Sequence, residues 1–191
     1  MQPSNRSVDL VRELYRQGTS YVFAKRPEAI AEEFGFTEVA RLASNENPFG
    51  PSPQALQEAQ KALVSMHRYP DTTYTALISA LQEYHGDYLF VTGVGMDGVI
   101  ETCIRVLINP GDQVTISTPT FSYYGLAAAA QGGGISNVLR NADFSIDIPS
   151  FISSARNAKI SFLCTPNNPS GTVTPLSDIE EILQNIQGIL F

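Results

Sequence analysis

The sequence predicts an α/β fold: a three-layer α/β/α arrangement around a mainly parallel sheet, with an N-terminal helical arm. Three observations carry that expectation. From Tyr88 onward, short β-branched or aromatic runs alternate with segments of helical periodicity. Those helical segments are long enough to serve as the crossovers that parallel strands require. Three expected strand ends, "TGVGMDG", "STPTFSYY" and "CTPNNPSG", carry glycines, aromatics, prolines and amides in place of ordinary turns. In open α/β sheets the carboxyl edge is where ligands bind.

From the N-terminus, Val8, Val11, Leu14 and Tyr15 form one short helical stripe in the arm, and Arg26-Pro27 and Gly35 interrupt the remainder of that arm. "ASNENPFGPSP" (Ala43–Pro53) is a proline-rich loop. Ser52 then Pro53 start a helix, because proline at the first helical position loses no needed donor. Leu56, Ala59, Leu63 and Met66 give its apolar face. "HRYPDTT" breaks it, with a new cap at Asp71 or Thr72. Tyr74, Leu77, Ile78 and Leu81 mark the next helix, ended near Gly86. "YLFVT" (Tyr88–Thr92) reads as a strand. Val99, Ile100, Cys103, Ile104 and Leu107 face one side of a helix. "NPGD" is a turn, "QVTIS" a strand, and "TPTFSYY" opens a helix through the alanine run to Gln131. Gly132–Gly134 end it before the strand "ISNVL". Ile148–Arg156 is a short helix and "KISFLC" a strand. Ser177 and Glu180 fit a capping box before Ile179, Ile182, Leu183 and Ile186. Gly188 stops that helix, and "ILF" begins a last strand.

With 191 residues, 43% of them hydrophobic, the chain can bury one ordinary core. A net charge of -7 provides no basic field for nucleic acid. No run approaches the ~18 apolar residues of a membrane span. Arg6, Asp9, Arg12 and Glu13 are unlike a secretory signal, so a cytoplasmic protein is expected. Cys103 and Cys164 read as buried thiols. His67 and His85 are isolated, and no cluster has metal-ligand spacing. Ser122 and Ser170 lack a histidine partner, and no G-x-S-x-G occurs.

Each strand-end motif has a plain reading beside a functional one. Gly93, Gly95 and Gly98 could simply begin a helix, or its free N–H groups could cradle a phosphate. A dinucleotide site also needs an acid after the next strand, about 20 residues on. That strand ends "STPTFSYY", so nicotinamide binding is disfavoured and phosphate binding stands. Phe121, Tyr123 and Tyr124 are core candidates, and one of them is a candidate to stack on a flat ring. In "TPNNPSGTV" the prolines end a strand and Gly171 allows the bend.

Taken together, "LASNENPFGPSP", "HRYPD", "VTGVGMDGVIE", "NPGDQVTISTPTFSYY" and "FLCTPNNPSGTV" resemble fold-type I aminotransferases that use pyridoxal phosphate. Within them they are most similar to the histidinol-phosphate aminotransferase family. The resemblance runs from about Leu42 to the last residue. Glu46 stands where a related decarboxylase type has isoleucine in its N-I-N-P segment. The resemblance implies pyridoxal 5'-phosphate as cofactor, held at its phosphate by Gly95, Met96 and Asp97. It implies Tyr124 stacked on the ring and Asn168 on the ring hydroxyl, with Asn167 structural. It makes Tyr69 the residue that reaches the neighbouring subunit's cofactor in a homodimer, and puts Asn45 and Glu46 against a small-molecule substrate. Residues 1–42 are then an arm belonging to the small domain, and residues 43–191 the N-terminal part of the cofactor-binding large domain.

The family's Schiff-base lysine has no counterpart. Lys25 and Lys61 precede the site, and Lys159 starts the "KISFLC" strand, at the far end from "TPNNPSG". A five-residue strand is roughly 17 Å long. The sequence is therefore expected to represent the N-terminal half of such an enzyme, inactive by itself. The alternatives are a non-catalytic remnant that dimerises or binds a phosphate ligand, another enzyme of the same cofactor class, and a nucleotide-binding module.

Overall fold

The computed structural model describes residues 10–16 and 24–191. Val8 of the expected arm stripe, with Arg6 and Asp9, lies outside the described residues. These residues fall into two compact units. Residues 24–90 form one, and residues 10–16 with 91–191 form the other.

The smaller unit is helical. It contains α2 (Pro27–Phe34), α3 (Pro53–Ala62), a 3-10 turn (Leu63–Ser65) and α4 (Thr75–His85). Ser52 caps α3 as its sequence predicts, accepting from the Ala55 N–H at 3.1 Å with Pro53 at the first position. Asp71 organises the entry to α4, its carboxylate accepting from the Thr73 and Thr75 N–H groups at 3.0 and 2.9 Å. None of these three helices buries a single residue, although Leu56, Leu63, Met66 and Leu77 are apolar and exposed. Short helices draw most of their stability from packing, so this unit has an apolar face without a core of its own.

The larger unit is the three-layer α/β/α sandwich. After α1 (Glu13–Arg16) of the arm come α5 (Gly95–Leu107), β1 (Gln113–Thr118), α6 (Tyr123–Gln131), β2 (Gly134–Leu139), α7 (Ile148–Ala155), β3 (Ile160–Phe162), α8 (Leu176–Asn185) and β4 (Ile189–Leu190). The strand order is β2-β1-β3-β4, and every pairing is parallel. Ile100 and Ile104 of α5, Ile108 just after it, and Ala127 and Ala128 of α6 pack with Val114, Ile116, Ile160 and Phe162 on one face. Phe151, Ile152 and Ala155 of α7 and Ile182 of α8 pack with Val138 on the other. Central β1 is buried on both faces. Its Thr115 hydroxyl pairs with Ser154 of α7 at 3.0 Å, and Ser154 donates to Ser136 of β2 at 2.7 Å, so these polar groups are satisfied.

Two local expectations are corrected. Tyr88–Thr92 forms no strand, because a strand needs a hydrogen-bonding edge and none of the described strands lies beside it. The capping box at Ser177 and Glu180 is also absent. Helix α8 begins at Leu176, the Pro175 carbonyl accepts from Asp178 and Ile179, and the Ser177 hydroxyl turns to Asp178.

Candidate functional site at the carboxyl edge of the sheet

Parallel strands with returning helices bring three segments to one edge: the start of α5, the β1–α6 loop and the loop after β3. At the first, Gly95, Met96 and Asp97 are the opening residues of α5, and their N–H groups have no intrahelical acceptor. Gly93 makes that tight turn feasible. A Cβ there would lie 2.9 Å from the Val99 nitrogen and 3.1 Å from the Gly98 carbonyl carbon, so no larger residue fits.

The second segment carries the aromatics. Tyr124 lies in the core, only 7% exposed, with its ring stacked on Phe162 at 4.5 Å and 18°. Phe121 is half-buried, two residues before α6, and meets Tyr124 edge-on at 5.5 Å. Tyr123 turns away to donate to Glu101 of α5 at 2.5 Å, and that carboxylate pushes its phenol up to about 12. Burial, followed by the Cys164 thiol, holds the Tyr124 phenol well above the usual tyrosine range.

The third segment holds the two asparagines, which the structure separates sharply. Asn167 is 3% exposed. Its side chain accepts from the Thr120 hydroxyl at 2.8 Å and donates to the Pro119 carbonyl at 3.2 Å and the Ser170 hydroxyl at 2.8 Å. It thus ties the β3 loop to the β1 loop. Gly171 bends back at φ +72° and donates to the Asn167 carbonyl at 2.7 Å. Asn168 is exposed, and its amide makes no hydrogen bond among the described residues. Cys164 is partly buried and its thiol meets the Pro166 carbonyl.

The remaining site candidates lie in the smaller unit. Tyr69 is 99% exposed. Asn45 has a left-handed backbone (φ +50°), and Glu46 pairs with Arg41 at 3.2 Å. All three lysines are engaged elsewhere: Lys25 with Glu33, Lys61 with Glu58 and Lys159 with Asp112, the last at 2.6 Å. The Lys159 N–H bonds the Gln113 carbonyl at the amino end of β1, across the sheet from Asn168. Among the described residues, no group of three or more His, Cys, Asp or Glu could hold a metal ion, and no helix is long and apolar enough to cross a membrane. The structural role expected of Asn167 agrees with its bonds to Thr120, Pro119 and Ser170, whereas sequence reasoning missed the Tyr123–Glu101 bond, which leaves no spacing signal.

A parallel four-stranded sheet with helices on both faces, and a glycine-built helix start, an aromatic and an exposed amide in its loops, defines the class as an open α/β domain. The chain belongs to the aminotransferase class I and II family, whose model matches residues 37–191. It is 53% identical over 182 residues to the histidinol-phosphate aminotransferase of Methanoculleus marisnigri, covering 95% of this chain and 52% of that one. It is 57% identical over 174 residues to that of Methanocorpusculum labreanum, covering 91% and 50%. Among solved structures it resembles histidinol-phosphate aminotransferase from Sinorhizobium meliloti in complex with pyridoxal-5'-phosphate, with a TM-score of 0.77 and 25% identity over 94% of this chain and 49% of that one. The chain spans about half the length of the curated relatives it matches.

Proposed function

We propose that this chain supplies the phosphate- and ring-binding side of a histidinol-phosphate aminotransferase that uses pyridoxal phosphate. The observation that carries the reading is the meeting of three fitting donor sets at one sheet edge. The N–H groups of Gly95, Met96 and Asp97 fit a phosphate. The ring of Phe121 is better placed to stack on a pyridine than that of Tyr124, one face of which Phe162 covers. Tyr124 then supports Phe121 from behind. The unengaged amide of Asn168 fits a ring oxygen, held in place by the Asn167 network.

When bound, the cofactor supplies an electron sink for bond breaking at the α-carbon of an amino acid. The residues of this chain bind and orient it. The amine that must carry it is not offered at this edge, since Lys159 sits at the opposite end of the sheet. Alone, the chain therefore binds the cofactor without a covalent link and does not turn over histidinol phosphate with 2-oxoglutarate. We place Asn45 and Glu46 at the substrate, and Tyr69 at the cofactor phosphate of a second copy in a homodimer. The uncovered apolar residues of the smaller unit favour such a dimer. The acidic composition fits a cytoplasmic setting.

The test is a pyridoxal phosphate titration of the purified chain, with borohydride reduction and peptide mass mapping after it. Saturable binding that is weakened by Asn168→Ala, with no site-specific reduced adduct on Lys25, Lys61 or Lys159, is expected. Thermal protection by NAD in place of pyridoxal phosphate would overturn the reading.

A further inference from the structure

Among the described residues the sheet ends on one side at β2, the outermost strand of the order β2-β1-β3-β4. An open strand edge is a template for another strand, and edges are normally blunted by short length, lysine, proline or a bulge. The opposite edge strand, β4, is two residues long. β2 has six residues, pairs with β1 in unbroken register, and contains no charged residue and no proline.

Its pairing with β1 decides which groups the open edge offers. Gly134 donates to the Asp112 carbonyl at 2.8 Å, and Arg140, just past the strand, donates to the Thr118 carbonyl at 2.7 Å. Even-numbered residues therefore spend their backbone groups on β1, and the N–H and C=O groups of Ile135, Asn137 and Leu139 turn outward. The side chains of the same three residues share the α6 face, where a Cβ on Gly125 of α6 would lie 3.8 Å from Ile135 Cδ1. Ile135 and Leu139 are exposed apolar residues, Leu139 at 74%, and Asn137 is exposed between them. On the α7 face, a groove of about 600 Å³ runs beside Ser136 along Ser150, Ser153, Ser154 and Asn157, with no charged residue in its walls. In a chain of net charge -7, this uncharged strip is where two copies repel each other least.

We propose that β2 pairs antiparallel with β2 of a second copy, joining two four-stranded sheets across a two-fold axis at Asn137. That register sets Asn137 opposite itself and Ile135 opposite Leu139 of the second copy. Every outward N–H of the strand then meets an outward C=O. The apolar pairs cover each other on the α6 face, and the Asn137 amides meet at the axis, where each can donate to the other. Axes at Ser136 or Val138 would leave Leu139 or Ile135 facing residues outside the strand. A second copy fits better than a foreign strand because the edge is complementary to itself under a two-fold. The contact uses neither Tyr69 nor any other residue of the smaller unit, so it is separate from the dimer proposed above.

The test uses the whole chain, in sedimentation equilibrium and in cysteine cross-linking. Facing Cα atoms in a hydrogen-bonded antiparallel pair are about 5.5 Å apart, within disulfide reach. Asn137→Cys is therefore expected to form a disulfide-linked dimer in oxidised glutathione, with peptide mapping that joins position 137 to itself. Leu139→Cys alone should not link, because its two copies would lie roughly 14 Å apart, whereas mixed with Ile135→Cys it should. Asn137→Pro should keep the fold, since this N–H faces outward on an edge strand, and should weaken self-association about tenfold. Asn137→Lys supplies the same comparison if the proline variant does not fold. Association through the smaller unit gives no link at position 137, so the two contacts are separable. An Asn137→Cys chain that stays unlinked, equal linking of Leu139→Cys alone, or undiminished association of the Asn137→Pro or Asn137→Lys chain would each overturn the proposal.

Discussion

Asn167 and Asn168 are chemically identical neighbours, and replacing each by alanine should have opposite consequences. Asn167 makes three side-chain hydrogen bonds, at 2.8, 3.2 and 2.8 Å, from a position 3% exposed. A neutral intramolecular bond contributes ~0.5–1.5 kcal/mol, so Asn167→Ala should cost about 2–3 kcal/mol. Part of that cost is the Pro119 carbonyl, which loses its side-chain donor. With a urea slope of ~2–3 kcal/mol per M, the unfolding midpoint should fall by about 1 M. Asn168 contributes no bond among the described residues and is exposed, so its truncation should change stability by less than ~0.5 kcal/mol. Urea unfolding monitored by far-ultraviolet circular dichroism measures both, and the tyrosines report separately. Pyridoxal phosphate titration in buffer then gives the crossed result. Asn168→Ala should lose affinity about tenfold, as expected for one bond to a charged acceptor, while its stability is unchanged. Equal destabilisation by the two substitutions would refute the division of labour between them.

Two further predictions probe the ends of the sheet. Gly93→Ala places a methyl against the Val99 nitrogen and Gly98 carbon, so it should destabilise by ~1–3 kcal/mol and distort the first turn of α5. Phosphorus NMR titration with inorganic phosphate should show weaker binding, and wild-type affinity would count against the cup. At the amino edge, the Asp112 carboxyl is held below its ordinary 3.8, chiefly by the hydrogen bond from Lys159 and then by the Asn109 N–H. A lowered folded value gives stability that is fully present above the ordinary value and is lost as pH falls from there through the lowered folded value. The stability gap between wild type and Asp112→Asn should therefore narrow from about pH 6 to about pH 3, and a gap that stays constant over that range would contradict the ion pair.

The sheet was legible because burial writes itself into spacing. Val114 and Ile116 alternate with Thr115 and Ser117, and both sets are buried because helices cover both faces of β1. Tyr88–Thr92 shows the limit of that signal. Aromatic and β-branched residues make a segment fit for a strand, but pairing depends on an edge that local sequence does not contain. The aromatic cluster shows a second limit. Phe121 and Tyr124 lie three residues apart across the start of α6, and the helix's first turn decides which ring is driven onto Phe162 and which stays near the edge. Composition sees two equivalent aromatics there.

Lys159 and Arg140 complete the contrast, because both are strand-end cations and only one was readable. Lys159 precedes β3, so a strand's length separates it from the carboxyl edge whatever its side chain does, and its pairing with Asp112 agrees. Arg140 is buried just past β2, where a lone arginine ordinarily reaches water. Its burial arises from how the Thr118, Phe144 and Cys164 segments close around it, a three-way contact between residues 22 to 24 positions away on either side and a nearby turn. No spacing rule reports such a closure. Closure of three segments therefore buries this residue in three dimensions, while glycines, prolines and amides mark the same edge in the sequence.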